Sequence, residues 1–345
     1  MKKVLSLMLV LCLLVIAGCG GTSSTTPAPT TPGTPSTDVP RQKVYLECGG
    51  ASNTSFVYSV MVALSEVVNS SSDFVGMNVQ ATGGSNAHYQ MYVDGLVQMG
   101  TGSAYGDISA WRGGSETFPN PLQNARVLLV TATNYQCVIV RVDSGINSMS
   151  DLNGKQIAVG NAGAPTCEFA EGTLKSLGIN YTPVYSTAGE AVDMLKDGIV
   201  DCLIYTAAPG NSIALDAMAG PPCKLISLTA EEAEKCVGPG GLLYELNGAA
   251  PMTSAEYEVI PAGEEVIAIT DFGDFNVNKD MEDDVIIELL DCYWNNIEGL
   301  RTGLKGLTGT PELMAEMKGF TLPVIAKYYK DKFGVEIPAD KIVDR

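Results

Sequence analysis

Residues 43–68, KVYLECGGASNTSFVYSVMVALSEVV, predict a strand, a loop of small residues and a helix in direct succession. The first six residues alternate toward β-structure, and apolar residues recur at helical spacing from Phe56 onward. The loop between them, residues 49–54, is made of glycine and small polar residues. Strand, loop and helix in this order are the building unit of an α/β fold.

The same unit recurs further along the chain. Residues 78–81 predict a strand, residues 82–85 a loop and residues 86–94 a helix. A third strand at 97–102 leads into a short helix near 107–111. Strands that alternate with helices across short loops favour a mostly parallel sheet with helices on both faces.

Residues 126–142 contain two adjacent strand patterns, 127–131 and 137–141, with Asn134 and Tyr135 between them. We interpret this region as a crossing between two lobes. A second series then predicts strands at 156–160, near Val184 and at 200–205, and helices at 166–177 and 189–197. A strand at 266–270 is expected to return the chain to the first lobe, which helices near 281–300 and 311–329 complete.

The N-terminus has the pattern of an export signal. Two lysines precede an apolar run from Val4 to Ala17 that only Ser6 interrupts, and Gly18 and Cys19 follow. Residues 16–19, IAGC, resemble a bacterial lipobox, so we predict a signal peptide over 1–18 and lipid attached to Cys19. An ordinary signal peptide that is cut nearby is the alternative.

Residues 19–42 contain mostly Gly, Ser, Thr and Pro after the cysteine and cannot form a core, which indicates an extended tether. Beyond the signal, no run of about 18 uncharged apolar residues occurs, so the body is expected outside the membrane. The predicted localisation is extracytoplasmic, with a lipid anchor in the bacterial cell membrane.

The chain has 39 acidic and 21 basic side chains in 345 residues, a formal net charge of -18. Such a surface repels phosphates, so nucleic acid is excluded as a partner. Of the nine cysteines, seven lie beyond the signal and Cys19, most of them in apolar runs where cysteine acts as a small hydrophobe. Cys223 and Cys236 are the pair that could form a disulfide.

Three loops, residues 49–54, 82–85 and 160–166, each end a predicted strand and begin a predicted helix. They would present free backbone N–H groups and the positive end of a helix dipole, which is the geometry of an anion site. In an open α/β sheet such loops line the crevice at the carboxyl ends of the strands. The alternative is that the glycines only form tight turns.

The chain offers little for catalysis or for a cofactor. It has no phosphate-loop motif, no G-x-S-x-G nucleophile turn and a single histidine, His88. The acidic cluster near Asp280 lacks the spaced ligands of a calcium loop and is expected to be a solvated helix start. We therefore predict no enzyme activity, no cofactor and no metal site.

A family resemblance follows from the second half of the chain. Residues 143–146 (DSGI), 151–160 (DLNGKQIAVG) and 163–166 (GAPT) resemble the signature of TAXI-type solute receptors of TRAP transporters. The loops at 49–54 and 82–85 look like that family's first two glycine loops. Residues 198–201 with Pro209, and residues 322–330, are similar to its later segments.

The resemblance implies an α/β, two-lobe type II periplasmic-binding-protein fold, with the cleft between lobes joined by crossing strands. Lobe 1 would comprise residues 43–133 with 268–345, and lobe 2 residues 134–267. A monomeric receptor of this kind captures a small carboxylated solute, an amino acid or organic acid, and delivers it to a TRAP-type ion-driven membrane permease. A ligand-binding subunit for a sensor or an ATP-driven importer is the alternative, and an α/β enzyme that keeps the fold is a second.

Several residues depart from the family pattern where the cleft is expected. Ser103 stands where a Gln is usual, Tyr105 where an Asp is usual and His88 where an Asn is usual, while Ala164 and Pro165 replace a Ser-Gly pair. The ligands known for other members therefore do not transfer. The predicted ligand-binding residues are Ser52, Asn53, Thr82, Ser85, His88, Ser103, Tyr105, Ala164, Thr166 and Tyr205.

Overall fold

The computed structural model describes residues 42–53, 55–219 and 221–345. The predicted signal peptide, Cys19 and the tether through residue 41 lie outside the described residues, as does Thr54 of the first glycine loop. No helix in the described part is long and apolar enough to cross a membrane.

The first half of the chain alternates strands and helices, as the sequence predicts. Its elements are β1 (Val44–Gly49), α1 (Phe56–Ser71), β2 (Val75–Gln80), α2 (Ser85–Val93), β3 (Met99–Ser103), α3 (Ala104–Arg112) and β4 (Ala125–Arg141). Helix α1 begins where Ser55 accepts a hydrogen bond from the backbone N–H of Tyr58, and its apolar stripe packs on the sheet.

The second half repeats the pattern with more elements than the sequence predicts. They are β5 (Gln156–Gly160), α4 (Pro165–Ser176), β6 (Thr182–Tyr185), α5 (Ala188–Lys196), β7 (Cys202–Ala207), α6 (Ser212–Ala219), β8 (Cys223–Leu225), α7 (Ala230–Val237), β9 (Gly248–Met252), β10 (Val266–Asn278), α8 (Asp283–Asn295), α9 (Ile297–Gly303) and α10 (Pro323–Phe333). Short 3-10 turns lie at Val142–Ser144, Met149–Leu152, Pro311–Ala315 and Ala339–Lys341.

The ten strands of the described residues form one sheet in the order β2-β1-β3-β10-β4-β7-β5-β6, with β8 added to β4 and β9 to β10. Strands β1, β2 and β3 pair in parallel, and so do β5, β6 and β7. The two long strands β4 and β10 run antiparallel from Asn278 opposite Ala125 to Thr270 opposite Tyr135. They carry the chain from one half of the sheet to the other.

Several predicted elements differ from the structure in detail. The two strand patterns around Asn134 and Tyr135 belong to the single strand β4, because β10 pairs with that whole region. The predicted helix at 281–300 is two helices, α8 and α9, which meet at Asn296. The one predicted at 311–329 is a 3-10 turn followed by α10, which starts at Pro323.

Apolar side chains collect in three large clusters. The first joins α1, α8 and α10 to β1, β2 and the first half of β4. The second lies under α4 and α7, and the third under α5 and α6. Every described cysteine is a buried free thiol: Cys236 belongs to the second cluster and Cys223 to the third, so the disulfide considered for this pair is absent.

Candidate functional site

The predicted glycine loops do leave the carboxyl ends of strands. The first follows β1, the second lies between β2 and α2, and the third lies between β5 and α4. Strand β3 runs directly into α3, and the end of β7 lies two strands from β10 in the sheet. Strands β3 and β7 run in opposite directions, and their carboxyl ends face each other at the middle of β4 and β10. The candidate site is therefore the region between these strand ends, with the helix starts beside it.

In the first loop, the side chains of Ser52 and Asn53 are exposed. The carbonyl oxygen of Ser52 accepts hydrogen bonds from the backbone N–H and the hydroxyl of Ser55. Ser55 is the residue that caps α1. The side chains of Ser52 and Asn53 are therefore positioned beside a helix start without capping it.

In the second loop, His88 fixes the backbone around it. Its side chain is buried, with Nδ1 2.9 Å from the carbonyl oxygen of Thr101 and Nε2 2.6 Å from the Thr82 hydroxyl. The carbonyl can only accept, so Nδ1 carries the proton and Nε2 accepts from Thr82. Thr82 in turn accepts from the N–H of Ala51. These bonds tie the first two loops to β3.

Burial lowers the pKa of His88, so the ring is neutral at physiological pH. Both ring nitrogens of His88 and the Thr82 hydroxyl make hydrogen bonds within the protein. This arrangement supports a role for His88 and Thr82 in positioning the loops. Gly49 makes this possible, because a Cβ there would lie 2.5 Å from Nε2 of His88. Ser85 is the first residue of α2 and is half-buried at the start of that helix.

The third contribution comes from the start of α3. Ser103 caps this helix by accepting from the N–H of Gly106. The backbone N–H of Tyr105 donates to Oδ1 of Asp271 on β10, at 3.1 Å, and its ring stacks on Phe169 of α4 with centroids 6.4 Å apart. Burial and the nearby charge of Glu168 raise the pKa of Tyr105 to about 12, so it carries a neutral phenol.

The start of α4 differs from those of α1 and α3. Ala164 is its N-cap residue and supplies no side-chain hydrogen bond, and Pro165 occupies the first turn. Thr166 is exposed on that turn. Pro165 has no backbone N–H, and the N–H groups of Cys167 and Glu168 donate to the carbonyl oxygen of Ala164. The N–H of Thr166 is therefore the donor that the first turn of α4 offers to an anion.

Polar contacts join the helix starts of the two halves. The Nδ2 of Asn86 on α2 donates to the carbonyl oxygen of Gly163 before α4, at 3.1 Å. Thr117 donates a hydrogen bond to Glu168 of α4. With the pair of Tyr105 and Phe169, these contacts bring Ser85, Tyr105, Ala164 and Thr166 into one neighbourhood.

Tyr205 lies on a different side of the sheet. Its ring packs in the third apolar cluster, beside Cys137 on the neighbouring strand. Burial raises its pKa to about 12. The structure does not place it with the residues around α4, which packs on the opposite face with the second cluster.

Buried carboxylates lie where α3 packs on β10: Asp107 belongs to α3, and Asp271 and Asp274 belong to β10. Oδ1 of Asp107 accepts from the hydroxyl of Tyr89 at 2.7 Å and from Nδ2 of Asn276 at 2.8 Å, and the same amide donates to Asp274 at 3.0 Å. Burial raises the pKa of Asp107 to about 6 and that of Asp271 to about 7, and it raises the pKa of Asp274 well above its usual value. The like charge of Asp107 adds to the shift of Asp274.

A groove of about 890 Å³ runs beside the crossing strands. The exposed ion pair of Arg112 and Glu245, 2.5 Å apart, bridges it between α3 and the segment before β9. None of the ten predicted site residues lines this groove. Its lining includes Ala104, Trp111, Asn247, Asp271, Phe320 and Lys341.

Sequence reasoning missed a set of buried polar atoms near the strand ends. Within the described residues, hydrogen-bond partners are lacking for Oδ1 of Asn86, Oγ of Ser186, Oγ1 of Thr206 and both amide atoms of Gln136. Asn86 and Ser186 follow β2 and β6, and Thr206 is near the end of β7. The sequence feature that could have indicated them is Gln136, a polar residue inside the apolar run of β4.

Comparisons with known proteins identify the family and the fold. The sequence profile of the NMT1-like family matches residues 48–331. A TctC solute binding protein from Polaromonas has 12% identity and a TM-score of 0.51, with 77% of this chain and 90% of that chain covered. No curated protein matches in sequence.

Two further solved structures are similar at lower scores. A putative L-cystine ABC transporter protein from Listeria monocytogenes has 13% identity and a TM-score of 0.48, with 77% of this chain and 98% of that chain covered. The periplasmic aliphatic sulphonate binding protein from Escherichia coli has 10% identity and a TM-score of 0.42, with coverages of 87% and 81%. At these identities the comparisons concern the fold alone. The α/β, two-lobe type II periplasmic-binding-protein fold predicted from the sequence is confirmed.

Proposed function

The chain belongs to the NMT1-like family, and from that premise we propose that it is an extracytoplasmic receptor for a small carboxylated solute. It delivers the solute to a TRAP-type, ion-driven membrane permease. The likeness of residues 143–166 to the TAXI signature supports the assignment to this transporter class. In this proposal lobe 1 is formed by residues 43–133 with 268–345 and lobe 2 by residues 134–267.

The observation that carries the proposal is the uncapped start of α4, which meets two helix starts from the other half of the sheet. Asn86 of α2 bonds to Gly163, and Tyr105 of α3 stacks on Phe169. Helix starts offer N–H donors and positive dipole ends, so their convergence favours a carboxylate. A solute held between them binds the closed arrangement better than an open one and thereby stabilises closure.

No covalent step belongs to this proposal. The only histidine, His88, is buried and uses both ring nitrogens within the protein. General acid–base catalysis needs a group within reach of the substrate, and His88 is not placed to provide one. Binding and release of the solute are therefore the whole of the proposed activity.

The direct test is to denature the purified full chain and identify the released small molecules by mass spectrometry. We expect a carboxylated solute in stoichiometric amount. A released compound without a carboxylate would contradict the proposal. If an ATP-driven importer and not a TRAP permease transports the identified solute, the receptor function stands but the proposed partner is wrong.

Thr166→Val is expected to weaken binding of the identified solute by about 1.5–3 kcal/mol, the worth of a hydrogen bond to a charged group. Valine keeps the shape of threonine but lacks its hydroxyl, which lies on the first turn of α4. Because Ala164 and not Thr166 is the N-cap residue, the free energy of unfolding should change little.

Isothermal titration calorimetry measures this effect, and Thr302→Val on α9 is the matched control, since Thr302 is also exposed on a helix. The control should bind as the wild type does. If Thr166→Val binds the solute as tightly as the wild type does, the Thr166 hydroxyl does not contact the carboxylate. The carboxylate would then be held by backbone N–H groups or by Ser85.

Cys19→Ala is expected to move the protein from the membrane fraction to the soluble fraction, because the acyl chains carried by Cys19 provide the apolar anchor. Immunoblots of fractionated cells measure the distribution. Cys12→Ala is the matched control, since Cys12 lies in the predicted signal peptide and should leave membrane association unchanged. Membrane association of Cys19→Ala equal to that of the control would contradict the anchor.

A further inference from the structure

Gln136 on β4 is buried and Thr206 on β7 is half-buried, and the buried polar atoms of this pair lack hydrogen-bond partners among the described residues. They lie directly opposite each other in the antiparallel ladder, so their side chains share a face of the sheet. Gln136 is 1% exposed. In the described part of the chain, neither amide atom of Gln136 nor the Thr206 hydroxyl oxygen has a hydrogen-bond partner.

The strand alternation places this pair next to the candidate site. Val138 and Ile204, two residues along their strands, belong to the second apolar cluster, so Gln136 and Thr206 point toward the same layer. Phe169 of α4 is a member of that cluster, and Tyr105 packs against it. The pair therefore lies at the side of the sheet that α4 covers.

Such a pair is costly unless something binds it. A buried amide that has left water without new partners destabilises the folded state. Apolar side chains in the neighbouring positions, such as Val138 and Ile204, show that the layer itself accepts apolar residues. A solute group that reaches this pair would supply the missing hydrogen bonds.

The chemistry of Gln136 and Thr206 determines which solute group fits. Gln136 offers both a donor and an acceptor, and Thr206 adds a hydroxyl that can do either. The negative oxygens of a carboxylate would be repelled by the amide oxygen of Gln136, which carries a partial negative charge. The carboxylate would also be buried without a cation to pair with it. A hydroxyl or a primary carboxamide both donates and accepts, and it carries no charge into an apolar layer.

We propose that Gln136 and Thr206 bind an uncharged hydroxyl or carboxamide group of the solute, distal to the carboxylate at α4. The inference rests on the proposed receptor function and deepens it. It makes a hydroxy acid or an amide-bearing acid the preferred ligand class, and it makes Gln136 and Thr206 residues that determine specificity.

The binding test uses straight-chain monocarboxylates of four to six carbons whose far end is a methyl, hydroxyl, carboxamide or carboxylate group. With the full chain, calorimetry should show the hydroxyl or carboxamide acid binding at least about tenfold tighter than the methyl acid of equal length. Gln136→Met should remove most of this preference and leave the methyl acid bound as before. The matched control is Gln156→Met, an exposed position on β5, which should keep the preference.

The stability test separates binding from a structural role. Because Met replaces an unpartnered amide by an apolar group, Gln136→Met should raise the midpoint of thermal unfolding of the solute-free protein by about 2–4 °C. A lowered midpoint would overturn the inference, because it would mean that the amide stabilises the fold. Equal binding of the methyl and polar acids would also overturn it while the receptor function stands. If no acid of the panel binds, the receptor proposal fails and this inference fails with it.

Discussion

Gly102→Ala is expected to lower the free energy of unfolding by about 3 kcal/mol, at the upper end of the usual cost of overpacking a core. A Cβ at this position of β3 would lie 1.9 Å from Nδ2 of Asn276 and 2.2 Å from Oδ1 of Asp274. Neither side chain can move freely, because both are buried and Asn276 also donates to Asp107. The methyl group would therefore break hydrogen bonds between charged or polar groups that have no water to replace them.

Chemical denaturation measured by circular dichroism gives this difference directly. Gly299→Ala on α9 is the matched control, because Gly299 is exposed and a Cβ there meets nothing within 4 Å. We expect that control to be as stable as the wild type or slightly more so, since alanine is the better helix residue. Equal stability of the two variants would show that the polar layer under β3 adapts to an added methyl group.

Most of the fold could be predicted from local pattern. Alternating strands and helices, with glycine loops between them, indicated a mostly parallel sheet, and the main strands of both halves lie close to their predicted places. The continuous strand β4 could not be predicted, because Asn134 and Tyr135 interrupt its apolar run. Those two residues stay in strand conformation because Asp271 and Thr270 of β10 pair with them.

The candidate site was only partly visible in the sequence. The loops and helix starts follow from glycine and capping patterns, which are local, so Ser85, Tyr105, Ala164 and Thr166 were placed near one another. The burial of His88 depends on how closely β1 and β3 approach α2, which no local pattern shows. Tyr205 lies on the face of the sheet away from α4, because side chains alternate along β7 and Thr206 faces the α4 side.

The buried carboxylates illustrate the same limit. Asp271 and Asp274 occur in a strand that was predicted to end at residue 270, where acidic residues normally mark solvent. In the structure β10 continues to Asn278, and both side chains are less than one-tenth exposed. Only the pairing of β10 with β3 and β4 puts these acids beneath α3.

Stability is consequently expected to fall as pH rises through neutrality. In the folded protein the pKa of Asp107 is about 6 and that of Asp271 about 7, against an ordinary value of 3.8 for each. At pH values between the ordinary pKa and the raised pKa of each group, the folded state binds more protons than the unfolded state. The free energy of unfolding therefore decreases with pH, and the contribution of these acids is fully present below about pH 4 and lost above about pH 7.

Urea denaturation at constant ionic strength should show that the free energy of unfolding is about 2–4 kcal/mol lower at pH 8 than at pH 5. Exposed carboxylates whose pKa is lowered by hydrogen bonds, such as Asp151 and Glu190, act in the opposite direction. They do so mainly below the usual carboxyl range, so they contribute little between pH 5 and 8.

The variant Asp274→Asn distinguishes the effect of the buried acids on stability from the effect of every other titrating group. Asparagine has nearly the same shape and can donate to Asp107 without a titrating proton, so this variant should be more stable than the wild type at pH 8. With one buried acid and its repulsion removed, its stability should also change less with pH. Asp193→Asn, at an exposed position on α5, is the matched control and should follow the wild-type curve. A wild-type protein that is equally stable at pH 5 and pH 8 would mean that these carboxylates titrate as if they were exposed. That result would contradict the burial of Asp107, Asp271 and Asp274.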